Sequence, residues 1–157
     1  MSETNDSIWH TAPVVADLNS KAEGTLNHNL GIEITEITGD SLKGRMPVDE
    51  RTVQPAGVLH GGASVAFAET LASWAGYLVV DSSQFHVVGQ EINANHLRPG
   101  VAGEFVYGEA TAVHLGRKAH VWQIHIRNEQ GKLVCISRCT LAVITMPGQY
   151  ATREDRG

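Results

Sequence analysis

Between Gly61 and Val80 the chain runs for twenty residues, GGASVAFAETLASWAGYLVV, with a single charge, Glu69. Small and apolar side chains with no glycine between Gly62 and Gly76 suit a helix of about five turns. A helix apolar nearly all round belongs at the centre of a fold. The window is long enough for a transmembrane span, but the carboxylate inside it and the amphipathic strand patterns on both sides argue for a core helix in a soluble protein. The remaining chain must then be arranged around this one element.

The flanking segments say how. GIEITEITGDSLKGRMPV alternates apolar and polar residues on either side of Gly39-Asp40, which predicts a β-hairpin. Before it, Pro13 to Ala22 reads as a short helix with Val14, Val15 and Leu18 on one side. After the long helix come four β-rich runs, HVVGQEINANHLR, GEFVYGEATAVHL, KAHVWQIHIRNEQ and KLVCISRCTLAVI, with Gly116 and Asn128 to Gly131 among the breaks. One long helix with antiparallel strands before and after it predicts an α+β domain. At 157 residues the chain suits a single domain over 1–157, with the ends, about 1–12 and 146–157, expected to be flexible.

A net charge of −5 with few lysines and arginines excludes a broad nucleic-acid footprint. The N-terminus, MSETNDSIWHTAP, has neither the basic nor the apolar region of a secretory signal, so a cytoplasmic protein with no membrane partner is expected. Cys135 and Cys139 lie four apart in a predicted strand. At about 13 Å of separation they are too distant for a disulfide and read as reduced core thiols. No second Cys or His pair stands at finger-like spacing, so no metal is expected.

A carboxylate on an apolar helix loses several kcal/mol of solvation unless something compensates. Glu69 therefore either reaches an edge or a hydrogen bond, or serves as a general base or nucleophile in surroundings that move its pKa toward the working pH. The preceding His60-Gly61-Gly62 favours the second reading. A helix start carries unpaired backbone N–H groups at the positive end of the macrodipole, and glycines let a substrate carbonyl approach them. Gln54, ahead of the turn at Pro55-Ala56-Gly57, would add a side-chain donor, and Ser73, one turn after Glu69, shares its face. Gly61 and Glu69 are eight residues apart, about 12 Å along one helix. For both to act on one carbon, the carboxylate must come from a partner helix, which implies a two-fold dimer with two shared sites.

MPVDERTVQPAGVLHGGASVAFAETLASWAGY, VVGQEINANHLRP, HLGRKAHVWQIHI and SRCTLAVI together resemble the hotdog-fold acyl-CoA thioesterases. The likeness is to the branch that includes the 4-hydroxybenzoyl-CoA, phenylacetate-pathway and 1,4-dihydroxy-2-naphthoyl-CoA enzymes, and its spacing is kept over most of the chain. The resemblance implies a helix wrapped by an antiparallel sheet, dimers usually paired into tetramers, and hydrolysis of a thioester at the dimer interface without a cofactor. It also implies roles. Glu69 attacks the thioester or activates water, Gly61 polarises the carbonyl, Gln54 and His60 lie at the reacting group, and Ser73 is a helper. Coenzyme A would lie near His96, Arg98, His114, Gly116, Arg117 and Lys118; guanidinium and ammonium groups suit its phosphates.

Phe67, Trp74 and Tyr77 are candidate walls for an aryl or medium-chain acyl group, although aromatic residues on a buried helix also serve as core. Two other classes fit parts of the pattern. A non-catalytic acyl-CoA sensor would need no buried acid, and a hotdog hydratase would want an Asp beside His60 that this sequence lacks.

Overall fold

A computed structural model describes residues 7–146. Six strands form one antiparallel sheet in the order β1-β2-β4-β5-β6-β3. They are β1 (Glu33–Ile37), β2 (Ser41–Pro47), β3 (Phe85–His96), β4 (Phe105–Leu115), β5 (Ala119–Arg127) and β6 (Leu133–Thr145). Two short helices, α1 (Val15–Ser20) and α2 (Leu26–Asn29), precede the sheet, and the long α3 (Gly61–Val79) lies between β2 and β3. The helix packs on five of the six strands, which is the α+β arrangement expected. No helix among the described residues is long and apolar enough to cross a membrane.

The hairpin, the long helix and the four later strands stand where the sequence patterns put them. Along β5 the side chains of His120, Trp122, Ile124 and Ile126 are buried and those between them half-buried, the period-two pattern of a sheet with one face on a core. Against that face α3 buries Phe67, Ala68, Leu71, Ala72 and Ala75 completely. Its approach is close because Gly44 and Gly108 are cross-strand partners directly beneath Phe67 and Leu71, where a methyl group would strike those side chains. Burial of such a Phe or Leu contributes about 1.5–3 kcal/mol each.

Two expectations need correction. The helix is not enclosed all round. Ala66, Glu69, Thr70, Ser73, Trp74 and Tyr77 recur at helical spacing along a half-exposed stripe turned away from the sheet. And α2 has no counterpart in the sequence reading. Its single turn closes at Gly31, φ +69°, where the Ile32 N–H donates to the Asn27 carbonyl and the Gly31 N–H to that of His28. This is a Schellman stop, which needs a left-handed residue after the helix.

The two edges of the sheet differ. On β1 the Asn19 side chain receives the Ile34 N–H and donates to the Ile34 carbonyl, both at 2.8 Å, so α1 blocks that edge like a stub of strand. Among the described residues the long β3 pairs only with β6, and no strand lies on its outer edge. The calls on the two ends lie largely outside the described residues, but Ile8 to His10 are held. The Ile8 and His10 N–H groups donate to the carbonyls of Gly39 and Leu78, and Trp9 stacks on Trp122 at 6.3 Å between centroids. Cys135 and Cys139 are free and buried, as expected.

Candidate active site

The half-exposed stripe of α3 forms the floor of a groove of about 440 Å³, with Leu26 and Asn27 of α2 on one side and His86 and Val87 of β3 on the other. Glu69, Ser73, Trp74 and Tyr77 all face into it. The Glu69 carboxylate rests against Gly89 of β3, at a register shift in the β3–β6 ladder. Glu69 and Ser73 thus share a face, as their spacing predicts, and Trp74 and Tyr77 are walls. Phe67 is not: it is wholly buried against the sheet and belongs to the core.

Buried behind this site is Cys139. Desolvation, with the carboxylates of Glu69 and Glu91 nearby, pushes its thiol up to about 12. It is therefore a protonated, inert thiol and no nucleophile. Among the described residues no group of three or more His, Cys, Asp or Glu side chains is placed to hold a metal ion.

The start of α3 is a separate place. His60 caps the helix, its Nδ1 accepting the Gly62 N–H at 2.8 Å. One of the two glycine N–H groups expected to point outward is thereby occupied. That of Gly61 has no acceptor among the described residues. Gly61 lines a pocket of about 360 Å³ with His96 and Arg98, and the His96 ring lies directly against it. Arg98 is tied down, donating to the Leu133 carbonyl at 2.9 Å. Gln54 turns its Oε1 back to the Ala56 N–H at 2.7 Å, which fixes the loop and leaves the amide nitrogen for other partners.

The remaining cations lie at the far end of α3. Gly116, Arg117 and Lys118, in the β4–β5 turn, line a cavity of about 950 Å³ with Val79, Asp81 and the buried His120. The His120 Nδ1 has no hydrogen-bond partner among the described residues, and burial, with His114 nearby, holds its pKa below the ordinary value. His114 itself is exposed, packed against Gly116. The expected coenzyme-binding residues therefore fall into two groups separated by the length of α3. Within one chain, Glu69 and Gly61 also occupy different pockets.

Sequence reasoning missed Asn27, Thr70, His86 and Gly89. α2 carried one legible signal, the glycine after LNHNL. The β3 residues reach Glu69 only through the sheet, which no local pattern encodes.

The model of the thioesterase superfamily matches residues 56–135, from the loop before α3 into β6. The chain belongs to that superfamily. Its sheet and helix are the hotdog fold, and the protein is a thioester hydrolase. It is 47% identical over 137 residues to the 1,4-dihydroxy-2-naphthoyl-CoA hydrolase of Escherichia coli, covering 87% of this chain and 99% of that one. The proofreading thioesterase EntH of Cronobacter turicensis is 48% identical over 137 residues, covering 87% of this superfamily member and 98% of EntH. The crystal structure of a mutant thioesterase from Pseudomonas aeruginosa superimposes with a TM-score of 0.87 at 46% identity, covering 89% of this chain and all of that one.

Proposed function

We propose that the protein hydrolyses an acyl-CoA thioester, with an aryl or medium-chain acyl group, at two sites shared across a homodimer. The observation that carries this reading is Glu69, the one charged residue of α3, seated in a groove with Ala66, Trp74 and Tyr77, beside a strand edge that no other described strand covers. An unpaired long edge is a ready template for a second copy. Glu69 lies against Gly89 and Gly61 against His96, so an antiparallel β3–β3 pairing centred between Ile92 and Asn93 would set Gly89 beside His96 of the partner subunit. Glu69 would then face Gly61 of the partner subunit, and the carboxylate and the free N–H would converge on one carbonyl.

In that arrangement the Gly61 N–H stabilises the oxyanion. Glu69 takes a proton from the attacking water, or attacks the thioester carbon itself to give an anhydride that water opens. Either course ends with free acid and the coenzyme A thiol. Gln54 and His60 flank the reacting group, and Ser73 holds the water or the carboxylate. Arg117, Lys118 and Gly116 with His114, and His96 with Arg98, contact the coenzyme, because the antiparallel helices would bring one subunit's far end near the other's helix start. The name of the Escherichia coli relative, which specifies an aryl-CoA, supports the aryl class.

Free-thiol release from benzoyl-CoA, a naphthoyl-CoA and lauroyl-CoA tests the reading. Wild type is expected to be active and Glu69→Gln slower by about 10²- to 10⁴-fold. A variant that kept wild-type rates would remove Glu69 from the chemistry. A fully active monomer on sedimentation would sink the shared site.

A further inference from the structure

We propose that Asn27 determines specificity by reading a hydroxyl group on the acyl moiety, next to the reacting carbonyl. This deepens the thioesterase reading of the groove and rests on it. The groove has a polar pair that the proposed chemistry leaves unused: Thr70 Oγ1 lies 3.0 Å from Asn27 Oδ1 and 2.8 Å from the Ala66 carbonyl. The Schellman stop holds Asn27 through its own carbonyl, so the side chain is presented on fixed backbone. One end of its carboxamide meets Thr70. The residue lines the groove, and its amide nitrogen has no partner among the described residues.

A threonine hydroxyl carries one hydrogen. Given to Asn27 Oδ1, it leaves the amide N–H groups facing the groove; given to the Ala66 carbonyl, it lets the carboxamide turn over and present its oxygen. A hydroxyl both donates and accepts, so it satisfies either orientation, whereas a methyl group or hydrogen atom satisfies neither. The position follows from the helix. Thr70 succeeds Glu69 and lies only about 1.5 Å further along the axis, turned about 100° toward α2. Asn27, held by Thr70, and the Glu69 carboxylate thus line one groove from adjoining flanks of α3. With the carbonyl at Glu69, a substituent meeting Asn27 would be ortho to it on an aryl ring, not at the far end.

The test is the ratio of kcat/KM for 2-hydroxybenzoyl-CoA to that for benzoyl-CoA, in wild type, Asn27→Leu and Thr70→Val, with 4-hydroxybenzoyl-CoA as a position control. The ratio is expected to fall about tenfold in Asn27→Leu and in the same direction in Thr70→Val, through loss on the 2-hydroxy substrate. A general packing defect slows both substrates in step and leaves the ratio where it was, and that outcome overturns the assignment. So does a loss as large for the 4-hydroxy substrate as for the 2-hydroxy one. If Asn27→Leu does not fold, Thr70→Val decides by the same ratio. Wild type inactive on all three substrates would end the thioesterase reading for aryl thioesters and this inference with it, an outcome distinct from activity with an unchanged ratio.

Discussion

The Glu69 carboxylate and the backbone of Gly89 are in direct contact across the gap between α3 and β3, and even a methyl group at position 89 would overlap Oε1. The acid is therefore positioned by the absence of a side chain on a neighbouring strand.

Gly89→Ala is expected to push the carboxylate aside and lower kcat about 10- to 100-fold, since a displacement near 1 Å at a reacting group has effects of that size. A general loss of fold would instead lower the Tm. Steady-state thiol release beside a melt separates the two. An unchanged kcat would show that the contact does not set the geometry.

The shared site makes a prediction about mixtures. Gly61 is the first residue of α3, where the backbone tolerates proline; the change removes the N–H and presses the ring on His96, so Gly61→Pro should fold and be inactive. Glu69→Gln alone should also be inactive. Co-expressed, they should recover about a quarter of wild-type activity, because half of randomly formed dimers are mixed and each has one intact site. No recovery, with mixed dimers demonstrated by tagged purification, would place both groups in one chain's site.

Trp9 connects the N-terminal segment to the core. It stacks on Trp122, and its Nε1 donates to the Thr38 carbonyl at 2.6 Å. Trp9→Ala should lower stability by about 3 kcal/mol in urea unfolding. A loss below about 0.5 kcal/mol would mean that the segment docks without contributing to the core.

His120 is buried and its pKa lies below the usual 6.5. At pH values between the folded and unfolded pKa, the unfolded chain binds more protons than the folded one, so this residue costs stability as pH falls below about 6.5. The fall in Tm from pH 7 to pH 5 should be shallower in His120→Asn than in wild type. Parallel curves would show that the imidazole is protonated equally in both states.

Thiol chemistry offers a simple check. With Cys139 pushed up to about 12 and Cys135 also raised by burial, the native protein should leave a thiol reagent at pH 8 unreacted, and both cysteines should react once it is unfolded. Rapid native reaction would contradict their burial.

The sequence by itself determined the elements and their chemistry. Twenty residues with one charge specify the long helix, period-two alternation specifies the strands, and the spacing of Gly61 and Glu69 shows that one chain cannot bring both to a single carbon. These are properties of periodicity and rise, which are local. Tertiary structure alone decided which face of α3 is core, so that Phe67 packs on Gly44 and Gly108 while Trp74 and Tyr77 line the groove. A helix apolar on every side carries no moment to say which side meets the sheet. It likewise decided that Gly89 touches Glu69, that α2 brings Asn27 to Thr70, and that Asn19 blocks one sheet edge while no described strand covers the outer edge of β3. Each joins segments far apart in sequence through a sheet or a tight turn, and such contacts depend on strand order and register, which no short stretch of residues contains.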